Sequence, residues 1–256
     1  MPSTSTSPLG AFGIERDVWR IASVTILGSI MSVLDATVVN VALEALGRDL
    51  HSPLSAIQWV VTGYMLALAA VIPVAGWMSR RFGARPLYLF SIVTFTLGSV
   101  LCGFAWSTAS LVAFRVIQGV GGGLLMPVGQ MMVARAAGPA RMGRVMSILA
   151  VPIVLAPVLG PALGGLLLDG LGWRWIFFIN LPIGAFALLL ALRRLPRTSP
   201  DAVPGLDGLG FLLLGLGLPS LTYGLAELGV EGGFGSAKVV APLVAGVALV
   251  ATFAWH

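Results

Sequence analysis

A carboxylate and a guanidinium stand in parts of this chain that carry almost no other charge. Asp35 sits in Leu34-Asp35-Ala36-Thr37-Val38-Val39-Asn40, deep in a long apolar run. Arg115 opens a later one, in Phe114-Arg115-Val116-Ile117-Gln118-Gly119-Val120-Gly121-Gly122-Gly123. A charge at the centre of a bilayer costs about 3 kcal/mol or more, so such a residue faces an aqueous cavity or a partner on another helix. A carboxyl group at that depth can take up and release a proton, which is the chemistry of ion coupling. The alternative is a carboxyl that only pairs with a neighbouring helix. Helical spacing puts Arg115, Gln118 and Gly122 on one face. Arginine keeps its charge, so beside Asp35 it would be an electrostatic partner whose pairing a proton or a substrate cation could alter. Its other reading is a side chain that snorkels to the interface, since few residues separate it from the preceding loop.

Two further stretches bear on movement rather than on charge. One contains Pro152 and Pro157, then Gly160-Pro161-Ala162-Leu163-Gly164-Gly165. Proline removes a helix hydrogen bond and kinks the axis, and small residues four apart let a neighbouring helix approach closely. Gly119 and Gly123 form another such pair. The stretch Gly76-Trp77-Met78-Ser79-Arg80-Arg81-Phe82-Gly83-Ala84-Arg85-Pro86 reads as a short, glycine-bounded basic loop, either a lock against helix ends or a turn that only sets topology. Nothing resembles a phosphate-cradling loop or a nucleophile elbow, and Gly119 to Gly123 does not follow a strand. Cys102 is the only cysteine and His51 and His256 are the only histidines, so there is no disulfide framework or zinc spacing. No enzyme activity, metal or cofactor is expected.

The elements that position these residues follow from composition. Of 256 residues, 57% are hydrophobic and only 10% are charged, whereas a soluble domain carries about 25% charged residues. The surplus apolar surface must face a lipid bilayer. The net charge of +5 comes from arginines spread between apolar stretches, with no basic patch interleaved with aromatics, so no nucleic-acid partner is expected. A crossing helix needs roughly 20 mostly apolar residues. Eight stretches qualify: 18–42, 57–77, 87–104, 111–134, 145–168, 175–192, 208–226 and 239–256. They are solidly apolar, unlike the alternating strands of a membrane barrel.

Orientation comes from the alternate connections. Arg16, Arg20, Arg80, Arg81, Arg85, Arg135, Arg141, Arg144, Arg193, Arg194 and Arg197 share one side, against Arg48, Arg174 and Lys238 on the other. The excess of basic residues marks the cytoplasmic side, which places the N-terminus there and the chain in the cytoplasmic membrane. All seven tryptophans fall at or near span ends, where amphipathic rings favour the interface. Residues 1–17 have no basic segment leading into a short apolar core, so they read as a cytoplasmic tail rather than a cleaved signal. The last span ends at Ala254-Trp255-His256 with no basic tail, as a fragment or truncated product would.

Five segments, in this order and on these spans, resemble the major facilitator superfamily, and within it the 14-spanning drug:proton antiporters. Leu34-Asp35-x-Thr37-Val38-Val39-Asn40-Val41-Ala42-Leu43 is similar to that group's first-helix motif, and residues 76–86 to the loop between helices two and three. Arg115-x-x-Gln118-Gly119 resembles the fourth-helix motif, and Gly160-Pro161-x-x-Gly164-Gly165 the fifth-helix antiporter motif. Trp173-Arg174-Trp175-Ile176-Phe177-Phe178-Ile179-Asn180-Leu181-Pro182 is similar to the segment that comes after that motif in the group. The resemblance covers about residues 24–192. It implies an all-α multi-pass membrane protein of major facilitator fold: a six-helix N-terminal bundle over 18–192, built of two inverted three-helix repeats. A cytoplasmic linker over 193–207 and two additional membrane helices over 208–256 would come next, with the C-terminal half missing. The activity it implies is export of amphipathic or cationic drugs in exchange for protons. Asp35, Arg115, Asn40 and Gln118 would couple proton to substrate. Gly76, Arg81, Gly83 and Arg85 would form the gating loop, and Gly160, Pro161, Gly164 and Gly165 the packing hinge. Arg80 stands where the loop motif usually has an aspartate, and Ala84 where it usually has a basic residue. Other readings are export of a specific endogenous metabolite or antibiotic, or a non-transporting half-length remnant.

Overall fold

Inside a bilayer every backbone N–H and C=O must find a partner within the protein, and a run of apolar residues meets that demand by forming a helix. The computed structural model describes residues 16–203, 205–231 and 233–256, and among them it contains helices and no strand. Of the tail expected over 1–17, residues 1–15 lie outside the described residues. The helices are α1 (Arg16–Asp49), α2 (Leu54–Phe82), α3 (Ala84–Gly103), α4 (Thr108–Ala137), α5 (Met142–Leu171), α6 (Arg174–Phe178), α7 (Asn180–Arg194), α8 (Gly208–Glu231) and α9 (Ala237–Trp255). With α6 and α7 taken together, the described residues hold eight helical spans long and apolar enough to cross a membrane.

Helix ends lie beyond the apolar windows because polar residues with good helix propensity carry the helix on into the interface. This corrects the reading of residues 76–86 as a loop. Arg80 and Arg81 belong to the last turn of α2, and only Gly83 separates α2 from α3. Gly83 has φ +89°, a backbone state that residues with a Cβ rarely adopt, and it stops the helix there. At the start of α4 the Ser107 hydroxyl accepts from the Ser110 N–H while the Ser110 hydroxyl accepts from the Ser107 N–H, a reciprocal cap. The expected single span over 175–192 is interrupted at Ile179. Pro182 supplies no N–H to the carbonyl four residues back, and Ser99 Oγ donates to the Phe177 carbonyl at 2.9 Å. By contrast α5 runs unbroken through Pro152, Pro157 and Pro161.

Helices α1 and α4 form the centre. α4 packs against α2, α3 and α1, and α1 against α5 and α7. α8 and α9 pair with each other, and α8 lies along α2, where Trp59 and Tyr223 stack with ring centroids 5.7 Å apart. Most of the buried apolar side chains fall into two clusters. One takes Met31, Phe95 and Leu124; the other takes Val38, Cys102 and Leu111. Between them, on α1, α3 and α4, lie Asp35, Ser99, Arg115 and Gln118, all buried. A polar layer thus crosses the core between the two apolar clusters.

The segment between α7 and α8 docks on the α2–α3 junction. The Asp201 N–H donates to the Arg80 carbonyl at 2.8 Å and the Arg85 N–H to Thr198 Oγ1 at 3.1 Å. Asp207 caps α8: it accepts from the Gly210 N–H at 2.9 Å and lies 3.1 Å from the His256 imidazole. These contacts, that of Gly210 above all, hold its carboxyl below the usual carboxylate range.

Candidate functional site

The polar layer closes around one carboxylate. Arg115 Nη1 donates to Asp35 Oδ2 at 2.5 Å. Asp35 Oδ1 accepts from Gln118 Nε2 at 2.8 Å and from Asn180 Nδ2 at 2.9 Å. The donors hold one another in place. Gln118 Oε1 accepts from Arg115 Nη1 at 2.9 Å, Asn180 Nδ2 reaches Ser99 Oγ at 3.0 Å, and Arg115 Nε donates to the Val60 carbonyl at 3.1 Å. Cys102 Sγ lies 3.6 Å from Gln118 Oε1. Aromatic rings cover the guanidinium: Tyr64 with its centroid 3.9 Å from Arg115 Cζ, and Phe177 at 6.0 Å. Both charged side chains are 0% exposed.

Local sequence explains how the layer is brought together. On α4, the i, i+3 spacing places Arg115 and Gln118 side by side. Gly98 lets α3 approach α4 so closely that a Cβ there would meet the Gln118 Cα and N at 2.7 Å. Gly119 leaves room for the Tyr64 carbonyl and Ala67 of α2, and Gly123 for Leu68 and Val71. The chemistry the arrangement offers is exchange of one ionic contact. The carboxylate is fully engaged by three neighbours, and a proton bound to it would remove the charge that Arg115 opposes. Arg115 Nη2 is buried without a hydrogen-bond partner among the described residues, so the guanidinium retains donor capacity.

Of the four residues expected to couple proton and substrate, Asp35, Arg115 and Gln118 come together and Asn40 does not. Asn40 is exposed, and its Nδ2 donates to the Ala36 carbonyl at 3.1 Å. Five residues beyond Asp35 on a helix is the opposite flank, not the same face. The asparagine that reaches Asp35 is Asn180. The signal for Asn180, Ser99 and Cys102 was present as polar atoms inside apolar spans, but nothing local tied them to Asp35. Arg115 does not snorkel, since it is wholly buried.

The remaining expected residues fall elsewhere. Gly160 packs against the Thr37 side chain, and a Cβ at Gly164 would contact Val38 Cγ1 at 3.3 Å, so these two glycines seat α5 on the turn of α1 after Asp35. Pro161 is exposed and Gly165 has no neighbour within 4 Å of a Cβ position. Gly160→Ala is therefore expected to lower stability by about 1–3 kcal/mol. Gly165→Ala should stay within about 0.5 kcal/mol of the parent. Thermal unfolding of the detergent-purified protein separates the two, and equal losses would mean that α5 is not seated by Gly160. Gly76 lies inside α2 without a neighbour within 4 Å of a Cβ position, and Arg81 is exposed. Arg85 Nη2 donates to the Leu192 carbonyl at 2.9 Å, tying the start of α3 to the end of α7.

Comparison with known proteins agrees with this architecture. The profile of the Major Facilitator Superfamily matches residues 25–256. A multidrug resistance protein B homolog of Mycobacterium tuberculosis is 46% identical over 243 residues, which are 95% of this chain and 45% of that protein. Multidrug export protein EmrB of Haemophilus influenzae is 37% identical over 232 residues, 90% of this chain and 46% of that protein. The chain thus spans about half the length of the curated relatives it matches. Among solved structures, a D-xylose-proton symporter superposes with a TM-score of 0.63 at 18% identity, covering 93% of this chain and 67% of that one. The POT family transporter PepTSo gives 0.64 at 16% identity, covering 93% and 52%. With a family profile matched over nearly its whole length and eight membrane-length helical spans around a buried polar layer, this chain belongs to the Major Facilitator Superfamily.

Proposed function

We propose that this chain works as part of a secondary transporter that exports amphipathic or cationic drugs in exchange for protons. Residues 18–192 are its N-terminal bundle, 193–207 a linker and 208–256 an added helix pair. It sits in the cytoplasmic membrane with the N-terminus inside, a reading supported by the concentration of arginines at one set of helix ends. The observation that carries the function is the closed cluster around Asp35. An ionised pair sealed inside the protein costs stability unless its geometry is close to ideal, and a fold that only needed packing would place apolar residues there. Proton binding at Asp35 would release Arg115, and release would let α1 and α4 shift relative to each other. The names of the relatives, drug resistance and drug export proteins, support the choice of cargo.

The test is proton-gradient-dependent efflux of a cationic dye by the full-length protein in inverted membrane vesicles. With membrane levels matched, Asp35→Asn is expected to reduce efflux to the level of vesicles without transporter. Undiminished efflux by that variant would remove Asp35 from the coupling step.

A further inference from the structure

One pocket borders the buried pair without reaching it. It measures about 460 Å³, lies between α1, α2 and α4, and is walled in part by Ser32, Thr37, Tyr64, Met126 and Gln130. All twelve of its lining residues are uncharged, and neither Asp35 nor Arg115 is among them. The volume suits a small molecule, whose seats span about 300–1,000 Å³. A cation lodged here would meet no counter-charge on the lining side chains, so the pocket favours an apolar group.

Tyr64 is common to both places. The Arg115 guanidinium lies over its ring, with 3.9 Å from Cζ to the centroid, and a cation in a dry setting is attracted to an aromatic face. The opposite end of the side chain belongs to the pocket wall. Its hydroxyl is 3.1 Å from Ser32 Oγ and packs beside Gly122, and both of those residues line the pocket. The backbone of this turn packs directly on α4, since a Cβ on Gly119 would stand 2.7 Å from the Tyr64 carbonyl oxygen. What a ligand can displace is the ring.

We propose that Tyr64 is a positioning residue that transmits occupancy of this pocket to the Arg115–Asp35 pair, and that the pocket seats an uncharged, apolar part of the cargo. The proposal rests on the proton-coupled exporter reading above. Cargo and proton then never share a contact. Cargo presses on one end of the ring, the ring seats the guanidinium against Asp35, and a carboxyl that had held a proton gives it up to water as it gains that partner.

The experiment measures binding of Nile red, an uncharged dye, to the purified full-length protein, together with the protons released per dye bound. Wild type is expected to bind the dye and release protons. Tyr64→Leu removes part of the pocket wall and is expected to weaken dye binding, but at saturating dye the protons released per bound dye should fall about tenfold. A merely structural role would lower bound dye and released protons together, and that result overturns the proposal, as does release at the wild-type level. Tyr64→Phe keeps the ring and is expected to release protons as wild type does. Dye binding without release by Tyr64→Phe would place transmission in the hydroxyl and overturn the role of the ring, and this arm stands even if Tyr64→Leu fails to fold. A wild type that releases protons with ethidium but does not bind Nile red overturns the uncharged seat. Release with neither dye overturns the exporter reading itself.

Discussion

Asp35→Leu is expected to destabilise the folded protein by about 3–5 kcal/mol, because it strands a buried guanidinium. Arg115 is 0% exposed, and its Nη1 bonds run to Asp35 and Gln118. Without the carboxylate its charge has no counterpart, and a guanidinium cannot discharge by losing a proton. Arg115→Met strands the opposite charge and is expected to cost less, since a carboxylate can discharge by binding one. Gln118 Nε2 and Asn180 Nδ2 also still reach Asp35 Oδ1 in that variant. The double variant Asp35→Leu/Arg115→Met should recover most of the loss, so the coupling energy should be about as large as the Asp35→Leu loss itself. Unfolding midpoints of the full-length protein and its three variants in one detergent supply the cycle. Additive single losses would mean that the two charges are solvated separately and that the closed layer does not persist. Transport should not follow stability in this series. The double variant is expected to fold well and to export nothing in a proton-dependent way, because the exchangeable contact is gone.

The second large effect is expected at Gly98. A methyl there would stand 2.7 Å from both the Cα and the N of Gln118 and 2.8 Å from its Cβ. These are closer than real Cβ contacts come, and the obstructing atoms are mostly backbone, so no rotamer change relieves them. Gly98→Ala must therefore push α3 away from α4, at about 1–3 kcal/mol for typical overpacking. The same separation moves Gln118, which holds both Asp35 and Arg115. Stability and proton-coupled efflux should fall together. Gly121 is a second site of the same kind on this interface, where a Cβ would stand 2.8 Å from the Ser91 carbonyl oxygen. Gly121→Ala is expected to damage stability comparably while disturbing Gln118 less. Parent-like unfolding of Gly98→Ala would show that α3 and α4 have room the described packing denies them.

Asn40 and Asn180 show where sequence reasoning stops. Both are asparagines in motif-bearing segments, and only Asn40 lies near Asp35 along the chain. The structure leaves Asn40 exposed and bonded to its own helix, whereas Asn180, 145 positions away from Asp35, donates to its carboxylate. The residues 76–86 show a second limit. Their charge and glycines suggest a loop, yet helix propensity carried α2 to Phe82 and left the turn to Gly83 alone. The break at Ile179 shows a third, since Pro182 is visible in the sequence but the Ser99 bond to the Phe177 carbonyl is not.

What the sequence determined by itself is what depends on neighbours along the chain. Hydrophobic length fixes the spans, because transfer into lipid is nearly additive over consecutive residues. Helical period put Arg115 and Gln118 on one face, and a lone carboxylate in an apolar run marked Asp35 before any partner was known. Only the tertiary structure decided which polar groups meet that carboxylate, that Tyr64 covers the guanidinium, and that the apolar pocket stops short of the pair. The contacts of the carboxylate join residues 80 or more positions apart, from Asp35 to Arg115 and to Asn180. They are set by how closely glycine-faced helices can approach, a property of two surfaces in contact that neither segment carries alone.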